Sequence, residues 1–294
     1  MSLDCIKNSS NSQHATHAGC GMKWYYDKKR GLPFKAGAGL LVGKGLDDTT
    51  ASGDGYFGDM IRHGQPAKDY KQYFIDQTVK QGLETDISHW DEKDREDYAK
   101  AVDNIATLIP QYCHPESEHH RTLDPVGVQH PIMLHLRDLK LPIKGFIDLL
   151  AYDREDKRFK IIDIKSAGRA KSLSKIDYKM QIALYSFAIM QNKNLSYLPA
   201  GEVHGFVWNL KTPKIEVIKF DVDEDLVSQV LLRALNFEWA VSNNYFPMAR
   251  NSPLCSVRYC SYYEICHEEN KRDLPTLLRM LKPKMIGSEI SKAS

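Results

Sequence analysis

The sequence predicts an α/β protein: a mixed central sheet flanked by helices, with a helical region ahead of it and a cysteine-bearing segment behind. Three observations predict it. Between residues 56 and 112, apolar side chains recur at near-helical spacing, as in Tyr70, Phe74, Val79 and Leu83, then Tyr98, Val102, Ile105 and Leu108. Strand-like runs follow at 132–137, 144–152 and 158–165, the last two joined by the polar turn 153–157, which reads as a hairpin. A helical stretch then separates them from two further strand candidates. That order suits helices packed on the faces of one mixed sheet.

Taken from the start, residues 1–17 are rich in Ser and Asn and read as a loose terminus. Residues 18–130 form the helical N-terminal region. Trp24, Tyr25 and Tyr26, beside Lys23, read as core, with stacking on single-stranded bases as the alternative. Residues 37–58 are glycine-rich, and Gly43-Lys44 invites a phosphate-loop reading. It fails, because Ala38 stands at the first required glycine and Gly45 where Ser or Thr should follow the lysine. Pro110 and the segment 113–125 break the helical pattern, and the histidines there (His114, His119, His120, with His130 beyond) match no ligand spacing and read as a solvated loop. Residues 131–222 are the core. Within it, 176–191 is amphipathic, with Met180, Ala183, Leu184, Phe187 and Ala188 on one face. Strands at 203–210 and 214–220 pair around Thr212-Pro213. A long helix from about 224 to 242 opens the segment 223–270, which carries the cysteine group, and 271–294 is a basic tail.

Composition bounds the class. The chain of 294 residues is 42% hydrophobic and 27% charged, enough apolar material for a sizeable core and too mixed for disorder. A formal net charge of +2 announces no nucleic-acid partner globally, so any such path must come from local clustering. No run of eighteen apolar residues argues for a membrane span, and the polar start lacks an apolar signal region, which reads as cytoplasmic. Six cysteines without an export signal read as thiols or metal ligands rather than disulfides.

The chemistry concentrates in three strings: Gly145-Phe146-Ile147-Asp148, Asp163-Ile164-Lys165, and Gln181 with Tyr185 four residues on. Alternation along a strand puts Ile161, Asp163 and Lys165 on one face and the core residues Ile162 and Ile164 on the other. Two carboxylates plus water are a reasonable minimum for a hard divalent cation such as Mg²⁺. Two acids and a lysine at adjacent strand ends are what metal-dependent phosphodiester cleavage needs. Gln181 and Tyr185 share a helical face and would contact DNA or brace the site.

In order and spacing these strings resemble the PD-(D/E)XK nuclease superfamily, and within it the RecB-type branch. The resemblance covers roughly residues 18–268. It implies a restriction-endonuclease-like core, with Asp148 and Asp163 as Mg²⁺ or Mn²⁺ ligands and the Ile164 carbonyl as an extra oxygen. Lys165 would orient or deprotonate the attacking water, beside Gln181 and Tyr185. The branch carries a further metal-binding His in a Gly-x-x-x-His element; here Asp47 stands at that place in Gly43-Lys44-Gly45-Leu46-Asp47. The basic stretch Arg169, Lys171, Lys175 and Lys179 would line the cleft mouth and meet phosphates, with a solvated loop as the alternative.

Cys255, Cys260 and Cys266, with Cys20 far upstream, bracket this core. They are similar to the iron–sulfur subset of the branch, which includes AddB and the CRISPR adaptation nucleases, and imply a [4Fe–4S] cluster. The spacing of four then five residues departs from the usual two then five, so zinc and unligated thiols stay open. The implied activity is a divalent-metal-dependent DNA exonuclease acting on single-stranded ends. Its setting would be phage or plasmid DNA processing, recombination or CRISPR adaptation, beside the proteins of those systems. A non-catalytic DNA-end-binding module and a structure-specific endonuclease are the alternatives.

Overall fold

The computed structural model describes residues 6–170, 173, 176–257 and 259–270. Two compact units divide between Met248 and Ala249.

The first unit is built on a five-stranded sheet in sequence order: β1 (Leu123–Leu134), β2 (Ile143–Asp153), β3 (Arg158–Ala167), β4 (Ala200–Val207) and β5 (Lys214–Phe220). Neighbours are antiparallel except β3 and β4, which run parallel. A parallel pair needs a long crossover, and the helix α7 (Ile176–Lys193) supplies it. Both faces of the sheet are covered. Ile143, Ile147, Leu150, Ile161 and Val203 pack with Met180, Ile182 and Ala183 of α7 and with Val230 of α8 (Glu224–Ser242). Leu149, Ala151, Ile162, Ile164 and Phe206 pack instead with helices ahead of the sheet: α3 (Ala38–Thr50), α4 (Tyr56–His63), α5 (Tyr70–Glu84) and α6 (Glu92–Tyr112). The mixed sheet between helices is the expected α/β architecture. Among the described residues no helix is long and apolar enough to cross a membrane.

Local sequence explains the helix starts. Asp69 and Asp223 accept from backbone N–H groups of the first turns of α5 and α8. Asp91 and Asp94 form a reciprocal capping box at α6. Gly64 ends α4 in the left-handed region at φ 71°.

Several expectations are corrected. The supposedly loose terminus contains α1 (Asn11–Gly19), capped by Ser10, with Ser9 bridged to Ile143. Its composition is polar, but His14 and His17 lie three apart and pack on Phe237. A short helix, α2 (Gly21–Trp24), follows and widens into a π-helical turn over Tyr25–Lys29; Trp24 and Tyr26 are fully buried. The glycine-rich segment forms α3, because a Cβ at Gly45 would collide with Thr78 of α5: the glycine serves close helix packing. In α5 the buried stripe is Tyr70, Phe74 and Thr78, leaving Val79 and Leu83 exposed. Pro110 sits inside the last turn of α6.

The strand expected at 132 begins at Leu123, so β1 straddles the 130/131 boundary drawn from the sequence. His119 and His120 are not in a solvated loop. His120 is buried, with Nε2 2.6 Å from the Tyr112 carbonyl oxygen. β4 begins at Ala200 rather than 203, and α8 belongs with the first unit, which divides the 223–270 segment.

The second unit, described through residue 270, contains α9 (Tyr263–Glu269) and a buried Tyr262. The expected basic tail, 271–294, lies outside the described residues.

Candidate active site

The site sits where two strands part. β2 and β3 pair from Asp153↔Arg158 to Leu149↔Ile162 and no further. Beyond that point β2 stays with β1, while β3 stays with β4 through Asp163↔Val203 and Lys165↔Gly205. Asp148 and Asp163 are the first residues past the fork. The backbone N–H of Ile164 donates to Asp148 Oδ2 at 2.9 Å, so a carboxylate satisfies the donor that the departing strand leaves. β2 also exchanges faces here. Ile143 and Ile147 join the core under α7, whereas Leu149 and Ala151 join the opposite one. Gln129, between the pairs Val128↔Leu149 and His130↔Ile147, takes φ 41° to allow it.

Into the fork comes Lys165. Its ammonium donates to Asp163 Oδ1 at 2.8 Å, to the Ile164 carbonyl at 3.3 Å and to Asp148 Oδ2 at 3.5 Å. From α7, Gln181 Nε2 donates at 3.3 Å to both Asp163 Oδ1 and the Tyr185 hydroxyl. Tyr185 is 7% exposed and lies flat on β2: a Cβ at Gly145 would be 2.6 Å from its Cε1. Hence the glycine three residues before Asp148 is a steric requirement of the helix that carries Gln181. Asp47 approaches from α3, on the other face of the sheet.

Burial pushes Asp163 up to about 7; Lys165 opposes the shift and Asp148 adds to it. Burial also holds Asp47 well above the usual carboxylate range, reinforced by the charge of Asp148. For Lys165, burial works to lower the pKa but is outweighed by Asp163, Asp148 and Asp47, so the ammonium is held above its usual range. Among the described residues Asp163 Oδ2 is buried with no hydrogen-bond partner. A buried acceptor with no donor costs free energy, and a divalent cation would satisfy it. The donor set is carboxylate and carbonyl oxygen, which suits Mg²⁺ or Mn²⁺. Among the described residues no three His, Cys, Asp or Glu side chains are gathered as a ready metal site. The Lys165 ammonium lies between the two carboxylates instead.

Sequence reasoning missed Tyr178, three residues before Gln181 on the same helical face. Burial raises its hydroxyl pKa, with Lys165 and Asp163 as the next influences. The i, i+3, i+7 spacing of Tyr178, Gln181 and Tyr185 was the available signal.

Two members of the predicted basic stretch lie within the described residues. Arg169 is exposed, Lys171 and Lys175 lie outside the described residues, and Lys179 turns toward β5, its ammonium 5.4 Å from the Phe220 ring centroid. Cys20 lies between α1 and α2. In the second unit, Cys255 Sγ is 3.9 Å from His267 Nε2, Asn270 Nδ2 is 3.9 Å from Cys266 Sγ, and Cys260 N donates to the Ser256 carbonyl. No disulfide occurs among the described cysteines.

A family model of the PD-(D/E)XK nuclease superfamily matches residues 8–267. The crystal structure of a "Putative exonuclease" from Eubacterium rectale is 14% identical, covering 94% of this chain and 94% of its own, with a TM-score of 0.55; the likeness shows the fold. A second solved structure, SSO0001, is 14% identical over 87% of this chain and 98% of its own, at a TM-score of 0.36 that carries no argument. No curated protein matches the sequence.

Proposed function

The chain belongs to the PD-(D/E)XK nuclease superfamily, and from that premise we propose a divalent-metal-dependent DNA exonuclease of the RecB type, working on single-stranded ends. The observation that carries the site assignment is the buried, unpartnered Oδ2 of Asp163 at the fork between β2 and β3. Asp163 and Asp148 would hold the cation, with Asp47 in place of the branch's histidine and the Ile164 carbonyl as a further oxygen. A bound Mg²⁺ or Mn²⁺ polarises a phosphoryl oxygen and lowers the pKa of coordinated water.

The chain's own residues do the rest. Lys165, held above its usual range by three carboxylates, stays an ammonium at neutral pH. It would act as a positioned charge against the phosphate and orient or deprotonate the attacking water. Gln181 fixes the Asp163 carboxylate by its hydrogen bond, and Tyr185 braces Gln181 from the same helix. Arg169 supports a phosphate path at the cleft mouth by its exposure, with Lys171 and Lys175 beside it in sequence and Lys179 the least favoured member.

Cys20, Cys255, Cys260 and Cys266 would bind a [4Fe–4S] cluster. Their number and donor type support it. The setting would be cytoplasmic DNA processing, with recombination or CRISPR adaptation proteins as partners.

The test is end-labelled linear and circular single-stranded DNA incubated with and without Mn²⁺, using wild type and Asp163→Asn. Metal-dependent loss of linear DNA alone, absent in the variant, is the expected result. Nicking of circles would make the enzyme an endonuclease, and binding without cleavage would make it an end-binding module.

A further inference from the structure

Lys144 and Phe146 alternate along β2 and share one face, leading to Asp148 where the strand exchanges faces, while Gly145 and Ile147 face Tyr185 and the core under α7. Phe146 is 45% exposed, two residues from a site carboxylate. On β1 the cross-strand partners are Pro131 for Phe146 and Met133 for Lys144; both are exposed, Met133 at 49%. The result is a small apolar floor with a single cation at its end, Lys144 Nζ standing 5.6 Å from the Phe146 ring centroid. Two residues of strand place Phe146 roughly 7 Å from Asp148.

We infer that Phe146, on the floor of Pro131 and Met133, is a stacking subsite for the nucleobase that adjoins the scissile phosphate, with Lys144 meeting the following phosphate. This rests on the reading of Asp148 and Asp163 as the cleavage site. The occupant is single-stranded nucleic acid for two reasons. Every base presents a π-face to an aromatic platform, so stacking is sequence-tolerant. A lysine beside the ring complements a backbone charge, and the floor lies two residues along β2 from the carboxylate at the fork. A paired base has both faces occupied by its neighbours, so the subsite favours unpaired ends.

The experiment compares wild type, Phe146→Ala, Phe146→Trp and Lys144→Ala. Binding is read without divalent cation, on single-stranded oligonucleotides carrying a fluorescent adenine analogue near the end; turnover is read with Mn²⁺. Phe146→Ala should weaken single-strand binding roughly 5- to 100-fold, raise KM with little change in kcat, and abolish quenching of the analogue. Phe146→Trp should restore all three. Lys144→Ala should flatten the log–log salt dependence by about 0.7. Wild-type binding and quenching in Phe146→Ala overturn the inference and leave the floor to a protein partner. Because quenching is read without metal, it separates this subsite from the cleavage assignment: normal quenching changes in a protein that never cuts DNA would overturn the nuclease reading alone.

Discussion

Charge balance around one ammonium governs what the fork can bind. Asp163 is pushed up to about 7 by burial, and Asp47 is raised as well. Cation binding needs the ionised carboxylates, so affinity for Mg²⁺ or Mn²⁺ should climb as pH rises through about 7. For an acid whose folded pKa exceeds its unfolded one, stability falls as pH rises between the two. The metal-free protein should therefore lose stability from about pH 4 to about pH 7 through this group, and the cation should regain it. Calorimetric titration across that range tests both; a pH-independent affinity would contradict the placement of Asp163. Lys165→Ala should remove charge stabilisation and cost roughly 10²–10³-fold in rate while sparing metal binding. At this scale the motif residues were legible because their types and spacing survive in one dimension. The bond from Ile164 N to Asp148, and the inclusion of Tyr178, were not, since both depend on strands separating in space.

Between β2 and α7 the contact is made by a glycine and a ring. A methyl group at Gly145 would push Tyr185 and with it Gln181, so Gly145→Ala should destabilise by about 1–3 kcal/mol, the usual range for overpacking. It should also lower activity without touching a charged residue. Trimming the ring in a Gly145→Ala/Tyr185→Leu double variant should recover part of the melting temperature; no recovery would place the strain elsewhere. Element legibility followed chemistry. The long helix expected from about 224 to 242 matches α8, which the structure shows capped by Asp223. β1 was hidden because Pro125, Gly127 and Pro131 interrupt its first half, which an outer strand tolerates and a central one does not. The α3 helix was hidden by glycines whose purpose is tight packing and not flexibility.

Across the first unit, a buried polar network links the sheet to the helical layer. Lys160 meets Asp153, Asp156 and Glu202; Glu202 meets His204 Nε2, and His204 Nδ1 lies 2.7 Å from the Tyr112 hydroxyl. Lys160, Asp153 and Glu202 are all within 5% exposure. Burial works to raise both Asp153 and Glu202, but the bonds to Lys160 and His204 win and hold them below the usual range. Depressed folded pKa values mean stability that is present above about pH 4 and lost as pH falls further. Lys160→Met should strand two buried carboxylates, costing about 3–5 kcal/mol, and should flatten the acid limb of a pH–stability curve. An unchanged acid limb would refute that role. At the same scale, protein purified without oxygen should be brown, and Cys20→Ser should bleach it and lower its melting temperature. Full iron content in that variant would remove Cys20 from the ligand set.

The fork that makes the site also exposes a seam. Beyond Leu149, β2 has no strand on its β3 side among the described residues, and the open backbone is met by Ser9, whose N–H donates to the Pro142 carbonyl and whose carbonyl accepts from Lys144 N. Unpaired strand edges template pairing with other chains, so Ser9 works as a selvedge that keeps the seam from fraying into a neighbour. Deleting residues 1–9 should leave the sheet folded but promote self-association, visible as concentration-dependent light scattering and suppressed by bound single-stranded DNA. Monodisperse behaviour of that deletion at high concentration would show that the seam is closed by other means.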